Sequence, residues 1–396
     1  MFREWSNWSM VNGEWSMVNG QWSMVNSSLL LQLINDLAPR HFLLPSAFCL
    51  LPSAFCLLPS AFCLLPSAFC LLPSAFCLVL RAQIYAKIPS SLPLMTFYEA
   101  QQQLQTALLE LYDNREAANI ADWVMEQVTG LRKIDRIMHK QSPLADEKVA
   151  RLQAYTRELL THKPVQYVLH EAWFCGMPFY VDENVLIPRP ETEELVDWIV
   201  SDIARKEAET GSKKYEAGKT ATPDSYFRIL DIGTGSGCIP VSLKKKIPQA
   251  EIYACDVSEG ALAVAARNAA TQQTAINFLQ VDFLDTESWS ALPEVDIIVS
   301  NPPYIPQRDK QTMLQNVLAY EPHLALFVPD NDALVFYEAI ASFAQRTLPE
   351  HGCVFVEIHE DLGTQTKALF ESKGFSAEIK KDFQGKDRMV KAVLSL

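Results

Sequence analysis

The sequence predicts an α/β chain: a largely parallel sheet with helices on both faces, preceded by a small helical bundle and a β-hairpin linker. Three observations carry this. From residue 227 onward, short β-branched runs alternate with helical periodicity, the pattern of strand–crossover–strand units. The glycine-rich run Asp231-Ile232-Gly233-Thr234-Gly235-Ser236-Gly237 falls between the first strand-like run and its helix. Asn301-Pro302-Pro303-Tyr304 directly follows the apolar run Val295-Asp296-Ile297-Ile298-Val299-Ser300.

Residues 1–94 stand apart. Trp8-Ser9-Met10-Val11-Asn12-Gly13-Glu14 recurs from Trp15 and, truncated, from Trp22. Leu43-Leu44-Pro45-Ser46-Ala47-Phe48-Cys49 is copied five times without substitution through Cys77. A proline in every copy removes a helical hydrogen bond, which argues against a coiled coil or a membrane-spanning helix. Two unrelated heptamers repeated this faithfully resemble translated tandem-repeat DNA, so the segment is expected to be disordered or a start-site artefact, with Met95 as the true start. Only four Lys/Arg and three Asp/Glu lie in it, which leaves 30 basic and 44 acidic residues beyond, a net of −14. That balance disfavours a chain that grips nucleic acid through phosphates, and no membrane attachment is expected. Outside the repeat, Cys175, Cys238, Cys255 and Cys353 are scattered without metal-ligand spacing, as for reduced thiols of a cytoplasmic protein, and no metal is expected.

Residues 95–164 read as about four helices. Phe97, Ala100, Leu104 and Leu108 recur at three- and four-residue steps, as do Ile120, Val124 and Val128, with breaks at Asp113-Asn114 and Ser142-Pro143. No catalytic set is visible there, which suits a recognition or docking role. Residues 165–190 read as a hairpin linker with strands on either side of the turn Asp182-Glu183-Asn184. A helix over 194–203 follows, with Thr192 as a possible N-cap, and the polar stretch 204–226 reads as a surface insert.

Within 191–396, strands are predicted over 227–231, 251–256, 276–281, 296–300 and 352–358, with helices after the glycine loop and over 259–270, 333–347 and 364–373. Two late strands near 377–381 and 389–394 close the chain. In such a sheet the ligand sits at the carboxyl ends of the strands.

Those ends carry the chemistry. Gly233, Thr234, Gly235, Ser236 and Gly237 let the backbone approach a ligand closely. Asp256 ends the second strand, where a carboxylate can accept both hydroxyls of a ribose. Asp282 and Phe283 follow the third, suited to an adenine amine and an adenine face. The spacing is Gly-x-Gly-x-Gly rather than the Gly-x-Gly-x-x-Gly of dinucleotide folds. With Asn301 at the fourth strand end, the set points to S-adenosylmethionine rather than a nicotinamide. No phosphate loop or His-Glu-x-x-His pair occurs.

Asn301-Pro302-Pro303-Tyr304 then reads as a slot for a planar group bearing NH2. The Asn301 side-chain oxygen and the Pro302 carbonyl would accept its two N–H groups, and Tyr304 would stack on its plane. Amide and nucleobase amines are poor nucleophiles, so most of the catalysis would be in-line positioning against the methyl donor. The slot alone does not separate glutamine from adenine.

The motifs Ile187-Pro188-Arg189-Pro190-Glu191-Thr192-Glu193, 231–237, Asn301-Pro302-Pro303-Tyr304-Ile305 and Tyr320-Glu321-Pro322, with Lys163-Pro164-Val165-Gln166-Tyr167 upstream, occur in this order. Over residues 95–396 the chain resembles the HemK/PrmC family of N5-glutamine methyltransferases. The resemblance implies a Rossmann-like methyltransferase domain that takes S-adenosylmethionine and methylates the glutamine of the Gly-Gly-Gln motif in class I peptide chain release factors. It implies catalytic roles for Asn301, Pro302 and Tyr304, cofactor contacts from Gly233–Gly237, Asp256, Asp282, Phe283 and Asn301, and substrate contacts from Asn301–Tyr304. Arg189 and Glu321 would fix the rim of the site, unless Arg189 is only an ion-pair partner between hairpin and sheet. His170 stands where the family usually has Gly, which implies strain if that turn needs φ > 0. An adenine-N6 methyltransferase of DNA or RNA is the alternative; it would need a basic groove or base-flipping elements. A third reading is a binding module that keeps the fold without activity.

The repeats generate a first test. A chain consisting of residues 95–396 is expected to keep the melting temperature and S-adenosylmethionine affinity of the full chain; an insoluble truncation would show that residues 1–94 matter.

Overall fold

The computed structural model describes residues 15–18, 21–24, 95–209 and 227–395. They belong to two units, Met1–Ser90 and Ser91–Leu396. In the first, Trp15–Val18 (β1) pairs antiparallel with Gln21–Met24 (β2), Trp15 opposite Met24 and Val18 opposite Gln21. Asn19-Gly20, a pair favoured in tight hairpins, separates the two strands in sequence. The Pro-containing repeat lies outside the described residues.

In the second unit, five described helices form the bundle: Phe97–Leu108 (α1), Asn114–Thr129 (α2), Lys133–Met138 (α3), Asp146–Leu159 (α4) and Val165–Leu169 (α5). Thr96 and Glu99 make a reciprocal capping box at the start of α1. Asp113 caps α2 by accepting from the amides of Arg115 and Glu116. Leu104, Leu108, Val124, Met125 and Leu159 fill the shared core. The fifth helix was not expected; Val165, Val168 and Leu169 turn into the same core, which binds 165–169 to the bundle rather than to the linker.

The hairpin lies elsewhere than predicted. Ala172–Phe174 (β3) pairs with Met177–Phe179 (β4) around Cys175-Gly176, both with positive φ (49° and 72°), the backbone of a tight two-residue turn. Residues 182–184 do turn, because Asp182 Oδ1 accepts from the Asn184 amide, but 185–187 form no strand. Val185 and Ile187 instead pack with Tyr167 and Val181 against Ala261 and Val264. The Tyr167 hydroxyl donates to the Val185 carbonyl at 2.6 Å. This small cluster ties the bundle to the sheet domain.

Pro190–Glu209 (α6) begins earlier and ends later than expected. Pro190 tolerates the first helical position, where its missing N–H costs nothing. Thr192 therefore lies inside the helix rather than capping it, and 204–209 is helix rather than insert. Residues 210–226 lie outside the described residues.

The strands Arg228–Ile232 (β5), Glu251–Asp256 (β6), Asn277–Gln280 (β7), Ile297–Ser300 (β8), Cys353–Glu357 (β11), Phe375–Lys381 (β12) and Asp387–Leu394 (β13) form one sheet in the order β12-β13-β11-β8-β5-β6-β7. Pairing is parallel from β11 to β7, and β13 runs antiparallel to both its neighbours. Cys238–Lys246 (α7) and α6 cover one face over Ile229, Ile297 and Phe355. Val335–Thr347 (α10) and Gly363–Ser372 (α11) cover the other over Leu230, Ile298 and Val354. Adjacent residues of one strand thus serve opposite faces. Glu259–Thr271 (α8) follows β6. Ile305–Pro306 (β9), Gln315–Tyr320 (α9) and Phe327–Val328 (β10) form an excursion between β8 and β11, with β9 and β10 paired in parallel. Among the described residues, no helix is long and apolar enough to cross a membrane.

His170 ends α5 in the left-handed region at φ 53°, as the comparison with glycine anticipated. Its ring stacks on Tyr180 at 5.2 Å and its Nδ1 lies 3.2 Å from the Val181 carbonyl. These contacts offset the backbone cost, roughly 1–2 kcal/mol for an L-residue in that region. His170→Ala keeps the cost and loses the contacts, so urea denaturation should show a loss of about 1 kcal/mol. His170→Gly should be more stable than His170→Ala; the reverse order would contradict the account.

Candidate active site

Strand β5 lies between β6 and β8, so the chain leaves β5 toward one side and later returns on the other. A crevice opens at such a switch point, beyond the carboxyl ends of the strands. Two of the sequence motifs meet there, since Ile232 pairs with Ser300 in register and each is followed by its loop. Ser300 Oγ donates to the Ile232 carbonyl at 2.7 Å, which fastens the two loop bases together.

The glycine loop is held by its own backbone. The amides of Gly233 and Thr234 both donate to the Cys255 carbonyl, and Gly237 N donates to Thr234 O. Gly235 takes φ 53°, and a Cβ there would meet nothing within 4 Å, so its backbone faces open space. Gly237 (φ 76°) has the opposite reason: a Cβ would come within 3.0 Å of Ala265 Cβ on α8. Thr234 and Ser236 are buried, and the Ser236 carbonyl accepts from Asn268 Nδ2.

Two acids stand below this loop. Asp256 Oδ2 accepts from Gly235 N at 2.9 Å and Oδ1 from Ser258 N at 2.9 Å, while burial raises its pKa. Asp231 is wholly buried, and among the described residues neither carboxylate oxygen has a hydrogen-bond partner. Burial pushes its pKa up to about 7, opposed by the nearby Thr234 hydroxyl and reinforced by the charge of Asp256.

The third strand end is brought only partly into the site. Asp282 is exposed, and its Oδ1 accepts from Leu284 N. Phe283 offers no open face: it is 5% exposed and packs edge-on to Phe343 and tilted against Trp289, whose indole N–H donates to the Phe283 carbonyl. The ring helps fill the core under α10.

Asn301-Pro302-Pro303-Tyr304 emerges from β8 held by two residues that the sequence did not assign to the site. Asn301 Nδ2 donates to Thr192 Oγ1 at 3.1 Å, and Thr192 Oγ1 donates to Glu357 Oε2 at 2.6 Å. The Tyr304 hydroxyl lies 3.4 Å from Glu357 Oε1, a long contact. Among the described residues, Asn301 Oδ1 makes no hydrogen bond. Glu357 is 2% exposed at the end of β11, and burial pushes its pKa up to about 7. Burial and the Glu357 charge also raise the pKa of Tyr304.

Arg189 and Glu321 do meet. Arg189 Nη2 lies 2.5 Å from Glu321 Oε1, while Glu321 Oε2 accepts from Ile187 N at 3.2 Å. Glu321 is 4% exposed and both its oxygens are engaged. It ties the linker to the excursion after β8. Beside it, the Tyr320 hydroxyl donates to the Thr161 carbonyl at 2.8 Å, which joins the excursion to the bundle.

Thr192, Glu357, Asp231 and Ser300 were not among the predicted site residues. A detectable signal existed for two of them. Asp231 and Glu357 each carry a charge in or at the end of an apolar central strand, where an acid is seldom buried without a role or partner. Nothing in the sequence distinguishes Thr192 from a helix cap. Among the described residues, no group of His, Cys, Asp and Glu is arranged to hold a metal.

Sheet order, glycine loop and acidic strand end together define a Rossmann-like methyltransferase. The family model described as Methyltransferase small domain matches residues 219–325, and the one described as PrmC N-terminal domain matches residues 99–169. The chain is 41% identical over 290 residues to a release factor glutamine methyltransferase of Flavobacterium psychrophilum, covering 73% of this chain and 96% of that protein. The namesake of Bacteroides thetaiotaomicron is 36% identical, covering 73% and 97%. A solved release factor-specific protein-(glutamine-N5) methyltransferase of Alicyclobacillus acidocaldarius is 23% identical at a TM-score of 0.31, over 55% of this chain and 100% of that one, too loose a match to add weight. The chain belongs to the HemK/PrmC family, the release factor glutamine methyltransferases.

The buried acid at Asp231 makes a stability prediction. Its pKa rises from an ordinary 3.8 to about 7 on folding, so the folded state holds more protons through that window. Stability therefore falls as pH rises from about 4 to 7. Asp231→Asn removes this contribution, and its melting temperature relative to wild type should rise between pH 4.5 and pH 8. A difference constant with pH would contradict the buried ionisation.

Proposed function

We propose that this chain transfers the methyl group of S-adenosylmethionine to the side-chain amide nitrogen of the glutamine in the Gly-Gly-Gln motif of class I peptide chain release factors. One observation carries the local chemistry. One Asn301 Nδ2–H is taken by Thr192, which leaves Oδ1, without a partner among the described residues, available to accept from a substrate.

The residues present suit the methyl donor. Gly233 and Gly235 present backbone to open space, Asp256 keeps lone pairs beyond its two amide bonds, and Asp231 is an acid lacking any hydrogen bond among the described residues. Gly233–Gly237 and Asp256 would hold the methionine and ribose parts, and Asp282 would lie at the adenine end. When bound, this group supplies an electrophilic methyl on a sulfonium.

The chain's own residues do the rest. An amide nitrogen is a poor nucleophile because its lone pair is delocalised. Asn301 Oδ1 and the Pro302 carbonyl accept its two N–H groups, hold the nitrogen in line, and favour the more tetrahedral, acidic form that develops as the new bond forms. Pro302 and Pro303 stiffen the turn, and Tyr304 packs along the plane of the amide. The proton leaves late, once methylation has made the nitrogen strongly acidic, so no strong base is required. Arg189, paired with Glu321, shapes the rim.

The adenine reading shares this slot, but membership of a family of protein methyltransferases and the net acidic chain favour a protein substrate. Docking falls to the helical bundle, a role supported by exposed Tyr98, Ile134, Ile137 and Met138. A release-factor substrate implies a cytoplasmic reaction without direct grip on nucleic acid.

Asn301→Ala is expected to lower transfer from labelled S-adenosylmethionine to release factor by at least about a hundredfold, while cofactor affinity falls only a few-fold. Retained turnover would refute the amide clamp. Label entering duplex DNA but not release factor would refute the substrate.

A further inference from the structure

The clamp works only if Asn301 presents its oxygen rather than its NH2 group. An Asn side chain is nearly symmetric in shape, so packing alone does not choose between the two orientations. Something must fix the polarity, and the hydrogen bonds behind Asn301 trace it to one group.

The chain runs from Asn301 Nδ2 to Thr192 Oγ1 at 3.1 Å, then from Thr192 Oγ1 to Glu357 Oε2 at 2.6 Å. Thr192 and Glu357 are 3% and 2% exposed, so water competes little for these bonds. We infer that Glu357, acting through the Thr192 hydroxyl, is the positioning residue that sets which way the Asn301 amide faces and thereby prepares the site for a substrate amide.

An ionised carboxylate can only accept. Thr192 must then donate its single proton to Glu357, leaving only lone pairs for Asn301. Asn301 meets them with its NH2 group, and Oδ1 faces the crevice. When Glu357 is protonated it can donate to Thr192. The hydroxyl proton is then free to turn toward Asn301, which favours the flipped amide with NH2 facing the substrate. Two NH2 groups would oppose each other and the clamp would fail.

The groups facing Glu357 come from several elements. Thr192 and Glu191 lie on α6, Tyr304 on the turn after β8, and Arg388 on β13; the Tyr337 hydroxyl on α10 donates to the Glu357 backbone carbonyl at 3.0 Å. Burial and Glu191 favour the protonated form, while Thr192 and Arg388 favour the ionised one. The balance leaves the carboxyl titrating at about 7, so ordinary pH changes would move the polarity of the clamp.

This inference rests on the glutamine methyltransferase reading, and the experiment separates the two. Transfer of labelled methyl to release factor is measured at saturating S-adenosylmethionine for the full chain and for Thr192→Val, Thr192→Ser and Glu357→Gln. Calorimetric cofactor affinity reports that each variant is folded. No transfer by the wild type defeats the functional reading and this inference with it.

With the wild type active, Thr192→Val is expected to lower kcat by about ten- to a hundredfold with KM for release factor unchanged. Thr192→Ser, which restores the hydroxyl, should return kcat to within about threefold of wild type. A Thr192→Val enzyme with full kcat, or a Thr192→Ser enzyme as impaired as Thr192→Val, overturns the inference. Wild-type kcat should drop to about a tenth of its plateau by pH 6, as expected for one group titrating near 7. Glu357→Gln should lack that limb between pH 6 and 8.5. A retained limb overturns the assignment to Glu357, and this comparison decides the matter if Thr192→Val fails to fold.

Discussion

The site depends on the junction of two neighbouring strand ends. β5 and β8 finish in register, and the Ser300 hydroxyl bonds the Ile232 carbonyl across the junction. On one side the glycine loop leaves with its amides fixed to Cys255; on the other Asn301-Pro302-Pro303-Tyr304 leaves stiffened by two prolines. A methyl donor and a methyl acceptor held by these two loops would meet without any large movement of the protein. Catalysis by positioning requires this, because a displacement of about 1 Å can cost a hundredfold in rate.

The same crevice holds two buried acids that lack the close cationic partners of Asp202 and Asp382. Asp231 and Glu357 are both buried and both pushed up to about 7. They differ in how they are supported. Glu357 has Thr192, Tyr304 and Arg388 around it, whereas Asp231 lacks any hydrogen bond to its carboxylate among the described residues. The first arrangement suits a group that orients others, and the second leaves an acid whose charged form burial disfavours. Both lower stability near neutral pH, the usual consequence of placing function in the core.

Much of this was legible in the sequence because it rests on local rules. Strand–helix alternation, the glycine loop and Asn301-Pro302-Pro303-Tyr304 each depend on neighbouring residues, and each lies where the pattern put it. The errors came from choices that neighbours do not settle. The hairpin turns at Cys175-Gly176 rather than 182–184, since both stretches turn but only the first has flanking segments free to pair. Helix α6 absorbed Thr192 because Pro190 can start a helix as readily as Thr192 can cap one. Phe283, read as an adenine face from its place after a strand, also belongs to an aromatic cluster with Trp289 and Phe343 that local sequence does not announce. The bond from Thr192 to Glu357 joins residues 165 positions apart, and no local pattern announces it.

The central claim is that the crevice delivers a methyl group to one amide nitrogen of a protein. Its most direct test is to incubate the full chain with S-adenosylmethionine and a class I release factor, then locate the modification by tandem mass spectrometry. The account predicts a single added methyl on the side chain of the Gly-Gly-Gln glutamine, and none when that glutamine is replaced. A methyl on any other residue, or one that persists after the replacement, would contradict it.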